Sequence, residues 1–326
     1  MNGNDYLKGI APEPKITVLK NGHVLDHHVL GYLAPMTFER WGFDIEKGKK
    51  HFHDNVKRNP AEQLYLLHSQ LASYNIRFIY VALPCKLAIY PELAVNNNVL
   101  PQDRLVIPQW RKMLHKLLEY GVEVIDCYDS FRMYSSDIML YSKNHHISPF
   151  GAAVVGEQIA LYLKETTKIL PPFEFVTERK NEVIADPVLR NSLDYKSEVL
   201  DIEYFNSYKC NVKKDGIIKP IVGMGVKSEI GIIGNCNLQA YQYTGCDITA
   251  NLTALLNYPV INIGRFLPFG NVDTVDKIPP GALNDIKILI YVGFPSGSYV
   301  RAYHEDDSWG KKLITETAFK ENGGLV

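Results

Sequence analysis

Short apolar runs alternate along the chain with longer amphipathic stretches. This alternation is typical of a parallel β-sheet covered by helices, because strands buried on both faces read as nearly continuous runs of Val, Ile and Leu. The predicted strands are Arg77–Leu83, Val122–Cys127, Glu229–Gly234, Val260–Ile263 and Ile286–Phe294. The pattern therefore predicts an α/β fold with a mostly parallel sheet.

Four helices are predicted between the strands from capping residues and apolar spacing. They begin at Asn59-Pro60, near Gln102, at Ser148-Pro149 and after Cys236, and the last three end near Gly121, Leu170 and Pro259. A polar residue followed by proline is a frequent helix start, and glycine is a frequent helix stop. In the first helix Leu64, Leu67 and Leu71 recur at helical spacing, so we expect one apolar face to be buried.

A long segment interrupts this pattern after Pro171-Pro172. Residues 173–228 are charged and lack long periodic stretches. We interpret them as a β-rich insertion that leaves the main sheet and returns at the strand Glu229–Gly234. The predicted organisation is an N-terminal segment over 1–50, an α/β domain over 51–300 that holds the insertion, and a C-terminal tail over 301–326.

The composition narrows the class of protein. Of the 326 residues, 46% are hydrophobic and 22% are charged, which indicates a globular chain. The formal net charge of −1 argues against a nucleic-acid partner, because such proteins carry a basic surface. No apolar window approaches the roughly 20 residues of a membrane-spanning helix, and the first residues lack the features of a signal peptide. We therefore expect no membrane span and a cytoplasmic location.

Five cysteines, at positions 85, 127, 210, 236 and 246, show neither the spacing of a disulfide framework nor that of a zinc site. Cys236 stands out, since it follows Gly234-Asn235 at the end of a predicted strand and opens a predicted helix. The crevice at the carboxyl ends of parallel strands binds ligands, and the positive end of a helix lowers a thiol pKa. Backbone N–H groups at Cys236 and Asn237 can hold an oxyanion. The alternative is a small buried residue in a tight turn.

A nucleophilic thiol needs a base that is itself oriented. His146 lies just before a predicted helix, and Asn144 is two residues earlier on the same short turn. The adjacent His145 suggests a metal site, but no further ligand lies at suitable spacing nearby, so we predict no bound metal. A surface or capping histidine is the alternative.

These segments together resemble the alginate O-acetyltransferase (AlgJ/AlgX-type) branch of the SGNH hydrolase-like superfamily. Its Asp-x-His motif, followed by Trp-Thr-Pro-x-Gly, is similar to residues 144–151, and its later Gly-x-Ser turn is similar to Gly234-Asn235-Cys236. The stretch PCKLAIYPE at 84–92 is similar to the family's Pro-x-Lys-x-x-x-Tyr-Pro-Glu. The resemblance spans roughly 52–294 and implies a three-layer, flavodoxin-like fold of the SGNH type, with helices on both faces of the sheet.

The resemblance also implies three residues that contact substrate. Lys86 and Tyr90 belong to the stretch after a strand, and Arg265 falls where the family carries an arginine after the nucleophile helix. The two cations can bind anionic groups of the donor or substrate. The alternatives are a solvated loop lysine for Lys86, an ordinary ion pair for Arg265 and a structural role for Tyr90.

Departures from the family pattern change the expected chemistry. Asn144 stands where the family has Asp, Ile147 where it has Trp, and Cys236 where it has the nucleophilic Ser. A serine loses its proton during attack, and a carboxylate stabilises the imidazolium that forms, whereas a thiol can rest as a thiolate beside an imidazolium. That imidazolium needs orientation but no further charge. Cys236, His146 and Asn144 are therefore expected to form a Cys-His-Asn triad.

The expected activity is acyl transfer, of an O-acetyl or other acyl group, through a covalent acyl-thioester on Cys236. The expected donor is an acyl thioester of coenzyme A or of an acyl carrier protein, the expected acceptor is a small molecule or glycan, and no bound cofactor is expected. Two alternatives stay open. One is an esterase or thioesterase with the same site, and the other is a non-catalytic protein that binds a carbohydrate or a carrier.

Overall fold

The computed structural model describes residues 16–18, 23–26, 60–90, 93, 108–136, 139–144, 146–170, 175–189, 199–214, 216–221, 227–234, 236–266, 275, 278 and 281–293. The chain divides into two compact units. The first comprises Met1–Val124, Asp273–Lys277 and Gly293–Val326, and the second comprises Ile125–Val272 and Ile278–Val292.

In the described part of the first unit, strand β1 (Ile16–Val18) pairs antiparallel with β2 (Val24–Asp26). The same part contains helix α1 (Pro60–Ser73), strand β3 (Arg77–Ala82), and helices α2 (Lys86–Ile89) and α3 (Pro108–Glu119). Strand β4 (Glu123–Asp126) contains the position at which the chain passes into the second unit.

The helix signals of the first unit are confirmed. Helix α1 starts at Pro60, and its Leu64, Leu67 and Leu71 are buried as their spacing predicts. Helix α3 ends before Gly121, whose φ of 75° lies in the left-handed region that glycine adopts most easily. The predicted stretch 102–107 lies outside the described residues.

The second unit contains most of the remaining elements. They are α4 (Tyr128–Tyr134), α5 (Pro149–Thr166), β5 (Val176–Leu189), β6 (Val199–Lys214), β7 (Ile217–Pro220), β8 (Ile230–Gly234), α6 (Cys236–Gln239), α7 (Ile248–Leu256), β9 (Val260–Asn262) and β10 (Ile288–Gly293). Helices α5 and α7 approach closely, since a Cβ added to Gly156 would lie 2.9 Å from Cβ of Asn251.

The main sheet has five strands: β3, β4, β8, β9 and β10. Within the second unit β8 pairs in parallel with both β10 and β9, so that Ile230 faces Ile288 on one side and Val260 on the other. Strands β8 and β10 are buried along their whole length, which explains their continuous apolar sequences. The predicted α/β class with a parallel sheet is confirmed, and each predicted strand is present.

The β-rich insertion is a separate antiparallel sheet with the order β5-β6-β7. Its side chains alternate between two environments around Ile184 in β5 and Phe205 in β6. Ile184 and its cross-strand partner Phe205 are buried against Cys246 and Tyr241, whereas the neighbouring Val183 is exposed. The face that carries Ile184 and Phe205 therefore packs on other residues of the second unit at this end of the sheet, and this face carries the side chains that matter below.

The predicted continuous helix from Cys236 to Tyr258 is wrong. Helix α6 ends at Gln239, and the backbone of Tyr241 and Gly245 takes φ values of 65° and 74°, which a right-handed helix does not accommodate. The carbonyl of Gly245 accepts a hydrogen bond of 2.8 Å from the N–H of Cys210 in β6. Contact with the inserted sheet thus divides the helix into α6 and α7.

Among the helices of the described residues, none combines the length and the apolar character that crossing a membrane requires.

Candidate functional site

The candidate nucleophile lies where strand β8 turns into helix α6. Gly234 is the last residue of β8, and Cys236 is the first residue of α6. A Cβ on Gly234 would lie 2.7 Å from the carbonyl oxygen of Val292 and 3.3 Å from Cβ of Leu238. Only glycine therefore fits at this turn, which accounts physically for the glycine of the motif; Asn235 lies outside the described residues.

Cys236 differs from the other cysteines in its exposure. It is exposed to solvent, whereas Cys85, Cys127, Cys210 and Cys246 are buried. Burial raises the pKa of Cys127 well above its usual range and that of Cys210 to about 12, because desolvation disfavours a thiolate. The alternative of a buried structural cysteine is therefore wrong for Cys236.

Helix α6 is too short to lower the pKa of the Cys236 thiol strongly through its dipole. The sequence predicts a long helix behind Cys236, but α6 has four residues. Aligned peptide dipoles add up along a helix, so a single turn provides only a small part of the effect of a long helix. A lowered pKa of the Cys236 thiol would therefore require a neighbouring side chain.

The candidate base lies on a closed loop in front of helix α5. An isolated antiparallel bridge between Tyr141 and Ile147 closes this loop. Inside it, Oδ1 of the buried Asn144 accepts hydrogen bonds from the backbone N–H of His146 at 2.8 Å and from the hydroxyl of Ser142, and it lies 3.2 Å from Nδ1 of His146. The predicted contact between Asn144 and His146 is therefore present.

The start of helix α5 holds this loop in place. Ser148 is the N-cap, as predicted, and its hydroxyl accepts from the N–H of Gly151 at 3.1 Å. The Ser148 N–H donates to the carbonyl of Leu140 at 2.8 Å. A Cβ on Gly151 would lie 2.3 Å from that same carbonyl oxygen, so the glycine permits the close approach of helix and loop.

A single hydrogen bond joins the loop to the nucleophile turn. The buried side-chain oxygen of Asn237 accepts from the backbone N–H of Ile147 at 2.8 Å. Asn237 directly follows Cys236 and Ile147 directly follows His146. The fold therefore brings together the two predicted catalytic segments, which are far apart in the sequence.

The inserted sheet adds an acidic residue to this group. Oδ2 of Asp186, in β5, accepts from Nδ2 of Asn144 at 3.2 Å and from the hydroxyl of Tyr241 at 2.9 Å. Burial is the main influence on the pKa of Asp186 and raises it, while the hydrogen bonds from Tyr241 and Asn144 act in the opposite direction. A carboxyl group thus lies one hydrogen bond behind Asn144.

The same sheet holds the residue before Asn144. The backbone N–H of Lys143 donates to Oε2 of Glu203 at 2.6 Å, and its Nζ forms an ion pair of 2.7 Å with Asp201. Glu203 is the cross-strand partner of Asp186, so both carboxyl groups project from the same face of the sheet. Two adjacent residues of the loop are therefore bound by two paired residues of the insertion.

The three predicted substrate-binding residues have different outcomes. Lys86 is 2% exposed and opens helix α2, so the alternative of a solvated loop lysine is wrong. Tyr90 is also buried. Arg265 lies in a short 3-10 helix (Ile263–Phe266), and its side chain lies outside the described residues. Their contact with substrate stays a prediction.

No group of three or more metal-ligating side chains occurs among the residues that the structure describes.

Sequence reasoning missed Asp186, Ser142 and Tyr241. Asp186 lies 42 positions after Asn144, in a strand whose exposed positions include both Glu182 and Val183, and no local pattern distinguishes it. Residues two apart share a face of a β-strand, so the spacing from Ile184 is the signal that could have placed Asp186 on the inner face.

Comparison with known proteins then decides the family. A family model described as an SGNH hydrolase-like domain of the acetyltransferase AlgX matches residues 38–263. The chain belongs to this family of SGNH hydrolase-like acetyltransferase domains. The resemblance that the motifs indicate is confirmed, and with it the general class of an acyl-transferring enzyme.

Two solved structures of similar fold agree with this family. The O-acetyltransferase domain of Pseudomonas putida AlgJ has a TM-score of 0.62 and 10% identity, over 91% of this chain and 95% of that one. Pseudomonas aeruginosa AlgX has a TM-score of 0.53 and 13% identity, over 89% of this chain and 63% of that one. Identities this low show a shared fold alone. No curated protein matches the chain in sequence.

Proposed function

We propose that this SGNH hydrolase-like domain transfers an acyl group, in the first instance acetyl, through a thioester on Cys236. The observation that carries the proposal is the hydrogen bond between Asn237 and Ile147, which joins the segment of an exposed cysteine to that of an oriented histidine. Family membership supports acetyl transfer as the reaction class. The cysteine nucleophile is our inference from the site.

In the first half-reaction the Sγ of Cys236 attacks the carbonyl carbon of a thioester donor. In the resting pair His146 already holds the thiol proton at Nε2, the ring nitrogen opposite the one that contacts Asn144. The carbonyl oxygen becomes an oxyanion, which we assign to the backbone N–H groups of Cys236 and Asn237. The oxyanion then collapses, the bond to the donor sulfur breaks, and the departing thiolate receives the proton from the imidazolium.

In the second half-reaction an acceptor hydroxyl attacks the acyl-cysteine. His146 takes the hydroxyl proton as the new oxygen–carbon bond forms, and the sulfur–carbon bond then breaks. The departing Cys236 thiolate beside the imidazolium restores the resting pair. The products are one O-acyl acceptor and the free donor thiol, so the sequence needs no oxidant and no metal.

The pair of substitutions at Asn144 and Cys236 supports this chemistry. A thiol ionises far more readily than a hydroxyl, so its resting state can already hold the charge that a serine site creates only during attack. An amide can then take the place of the carboxylate that contacts the imidazole. Exchange between two thioesters is nearly balanced in energy, which suits a donor such as acetyl-coenzyme A or an acyl carrier protein.

The acceptor we propose is a small molecule or a glycan, because the AlgJ structure of similar fold is an O-acetyltransferase domain. The cytoplasmic location expected from the sequence would provide both kinds of thioester donor.

Intact-mass analysis tests the covalent step directly. The protein is incubated with acetyl-coenzyme A, and separately with p-nitrophenyl acetate as a small activated donor. We expect one added acetyl group per chain, located on Cys236 by peptide mapping and reversed by hydroxylamine. Cys236→Ala is expected to remain unmodified.

Cys246→Ala is the matched control because Cys246 is buried and lies in the same unit. It is expected to acetylate like the wild type. An adduct that persists in Cys236→Ala, or wild-type protein that transfers acetyl groups without ever carrying one, would contradict the proposal.

A further inference from the structure

We propose that Asp186 of the inserted sheet is a positioning residue for His146 and acts through Asn144. This inference rests on the proposed function. The site is then a chain of four groups: Cys236, His146, Asn144 and Asp186. Position 144 has no carboxyl group, and Asp186, 42 residues further along the chain, provides one.

The geometry of Asn144 supports a chain of this kind. Its Oδ1 faces the loop, where it accepts from Ser142 and from the backbone N–H of His146 and contacts Nδ1 of the same histidine. Its Nδ2 faces away from the loop and donates to Asp186. The amide therefore bridges the imidazole and the carboxyl group, with one end committed to each.

The chemistry of the partners determines which end faces which. An ionised carboxylate only accepts hydrogen bonds, so Asp186 requires the NH₂ end of Asn144. The oxygen then faces Nδ1 of His146, and Nδ1 carries the ring proton. Nε2 becomes the basic nitrogen, as a general base for Cys236 requires. With the amide reversed, Nδ1 would be the acceptor and Nε2 would carry the proton.

Packing and a second hydrogen bond hold Asp186 in place. Two residues earlier, Ile184 is buried with its cross-strand partner Phe205, which anchors this face of the sheet. The hydroxyl of Tyr241 binds the same carboxylate oxygen as Asn144. Tyr241 has a positive φ of 65°, an unfavourable backbone for an aromatic residue, and its hydrogen bond to Asp186 helps to hold it.

The other charges around Asp186 have different partners. Glu203, opposite Asp186 in β6, accepts from the backbone of Lys143. Asp201 forms its ion pair with the side chain of Lys143. Asp186 thus binds Asn144, whereas Glu203 binds Lys143. Because the two residues are paired across the strands, Glu203 is a matched control for Asp186.

The first experiment compares Asp186→Asn with the wild type. We expect kcat for acetyl transfer to fall by about 10- to 100-fold, the range produced when an outer partner of a metal-bound histidine is lost, with KM little changed. We also expect the alkaline limb of the pH–rate profile to move to lower pH, because the imidazolium loses a supporting negative charge. The ¹⁵N resonances of His146 report its tautomer and titration without turnover.

The second experiment is a double-mutant cycle. With Asn at 144 the partner must accept a hydrogen bond, whereas the substitution Asn144→Asp creates a carboxylate that needs a donor. We therefore expect Asp186→Asn to cost at least 10-fold less in kcat in the Asn144→Asp background than in the wild type. A residue that merely supported the fold would cost the same in both backgrounds.

Glu203→Gln is the control, since it removes a nearby charge and keeps an acceptor for Lys143. It is expected to leave the His146 tautomer and titration unchanged. The inference would be overturned if His146 in Asp186→Asn kept the resonances and titration of the wild type. It would also be overturned if Asp186→Asn lowered kcat by the same factor in both backgrounds of the cycle. Failure of the proposed function has a different signature, which is the absence of an acetyl adduct on wild-type Cys236.

Discussion

The side-chain oxygen of Asn237 accepts the backbone N–H of Ile147 at 2.8 Å, across 90 residues of sequence. Both residues are fully or almost fully buried. An amide N–H buried without an acceptor is costly, so this bond contributes to stability as well as to the geometry of the site. It relates the loop that carries His146 to the turn that carries Cys236.

Removing that acceptor should destabilise the protein. For Asn237→Ala we expect the free energy of unfolding to fall by about 1–3 kcal/mol, because the N–H of Ile147 would stay buried without a partner. Urea denaturation measures this change. Tyr243→Ala, at a position 82% exposed, is the control and should change the free energy by less than about 0.5 kcal/mol. Equal stability of Asn237→Ala and wild type would contradict the role of this bond.

Cys236 should be the thiol that reacts in the folded protein. At pH 7 we expect iodoacetamide to label Cys236 well before the four buried cysteines, since burial limits access and raises the pKa of Cys127, Cys210 and Cys246. Peptide mapping by mass spectrometry measures the extent at each position. In guanidinium chloride all five should react at similar rates. Labelling of Cys246 as fast as Cys236 under native conditions would be inconsistent with the structure.

Gly151→Ala should disturb the loop although alanine favours helices. The new Cβ would lie 2.3 Å from the carbonyl oxygen of Leu140, so helix α5 or the loop must shift. We expect a loss of about 1–3 kcal/mol in unfolding free energy, the usual cost of overpacking, together with slower alkylation of Cys236. Leu161→Ala, at an exposed position of the same helix, controls for general effects on α5. A more stable Gly151→Ala protein would contradict the close approach.

The buried Asp247 should make stability depend on pH. It is the N-cap of α7, and burial raises its pKa from 3.8 to about 6, while its contacts with Thr249 act in the opposite direction. Because the pKa is higher in the folded than in the unfolded protein, the folded state binds more protons between these values. The stability that the protonated group provides is complete below about pH 4 and is lost as the pH rises through about 6.

Asp247→Asn isolates this contribution, since Asn is an equally good N-cap and does not titrate. We expect the unfolding free energy of the wild type to fall relative to the variant by about 2–3 kcal/mol between pH 4 and pH 7. Chemical denaturation at several pH values measures the difference. Asp186 titrates in both proteins, so its contribution cancels. Parallel pH curves for the two proteins would show that Asp247 is not perturbed by burial.

Local sequence patterns determined a large part of this protein. Continuous apolar runs such as Ile230–Gly234 predict buried parallel strands because both of their faces lie inside the fold. The Ser148-Pro149 start of α5 follows from capping chemistry that involves only neighbouring residues. The same is true of the contact between Asn144 and His146, whose two residues lie on one short turn.

Tertiary structure decided what depends on residues that are distant in sequence. The break between α6 and α7 contains Tyr241 and Gly245, which bind Asp186 and Cys210 of the inserted sheet, and these contacts override the helical pattern of the residues that follow Cys236. The approach of the two catalytic segments depends on Asn237 and Ile147, and the carboxyl partner of Asn144 comes from Asp186 in a strand that sequence places far away. Propensity acts over a few neighbouring residues, whereas these contacts arise only once the chain has packed.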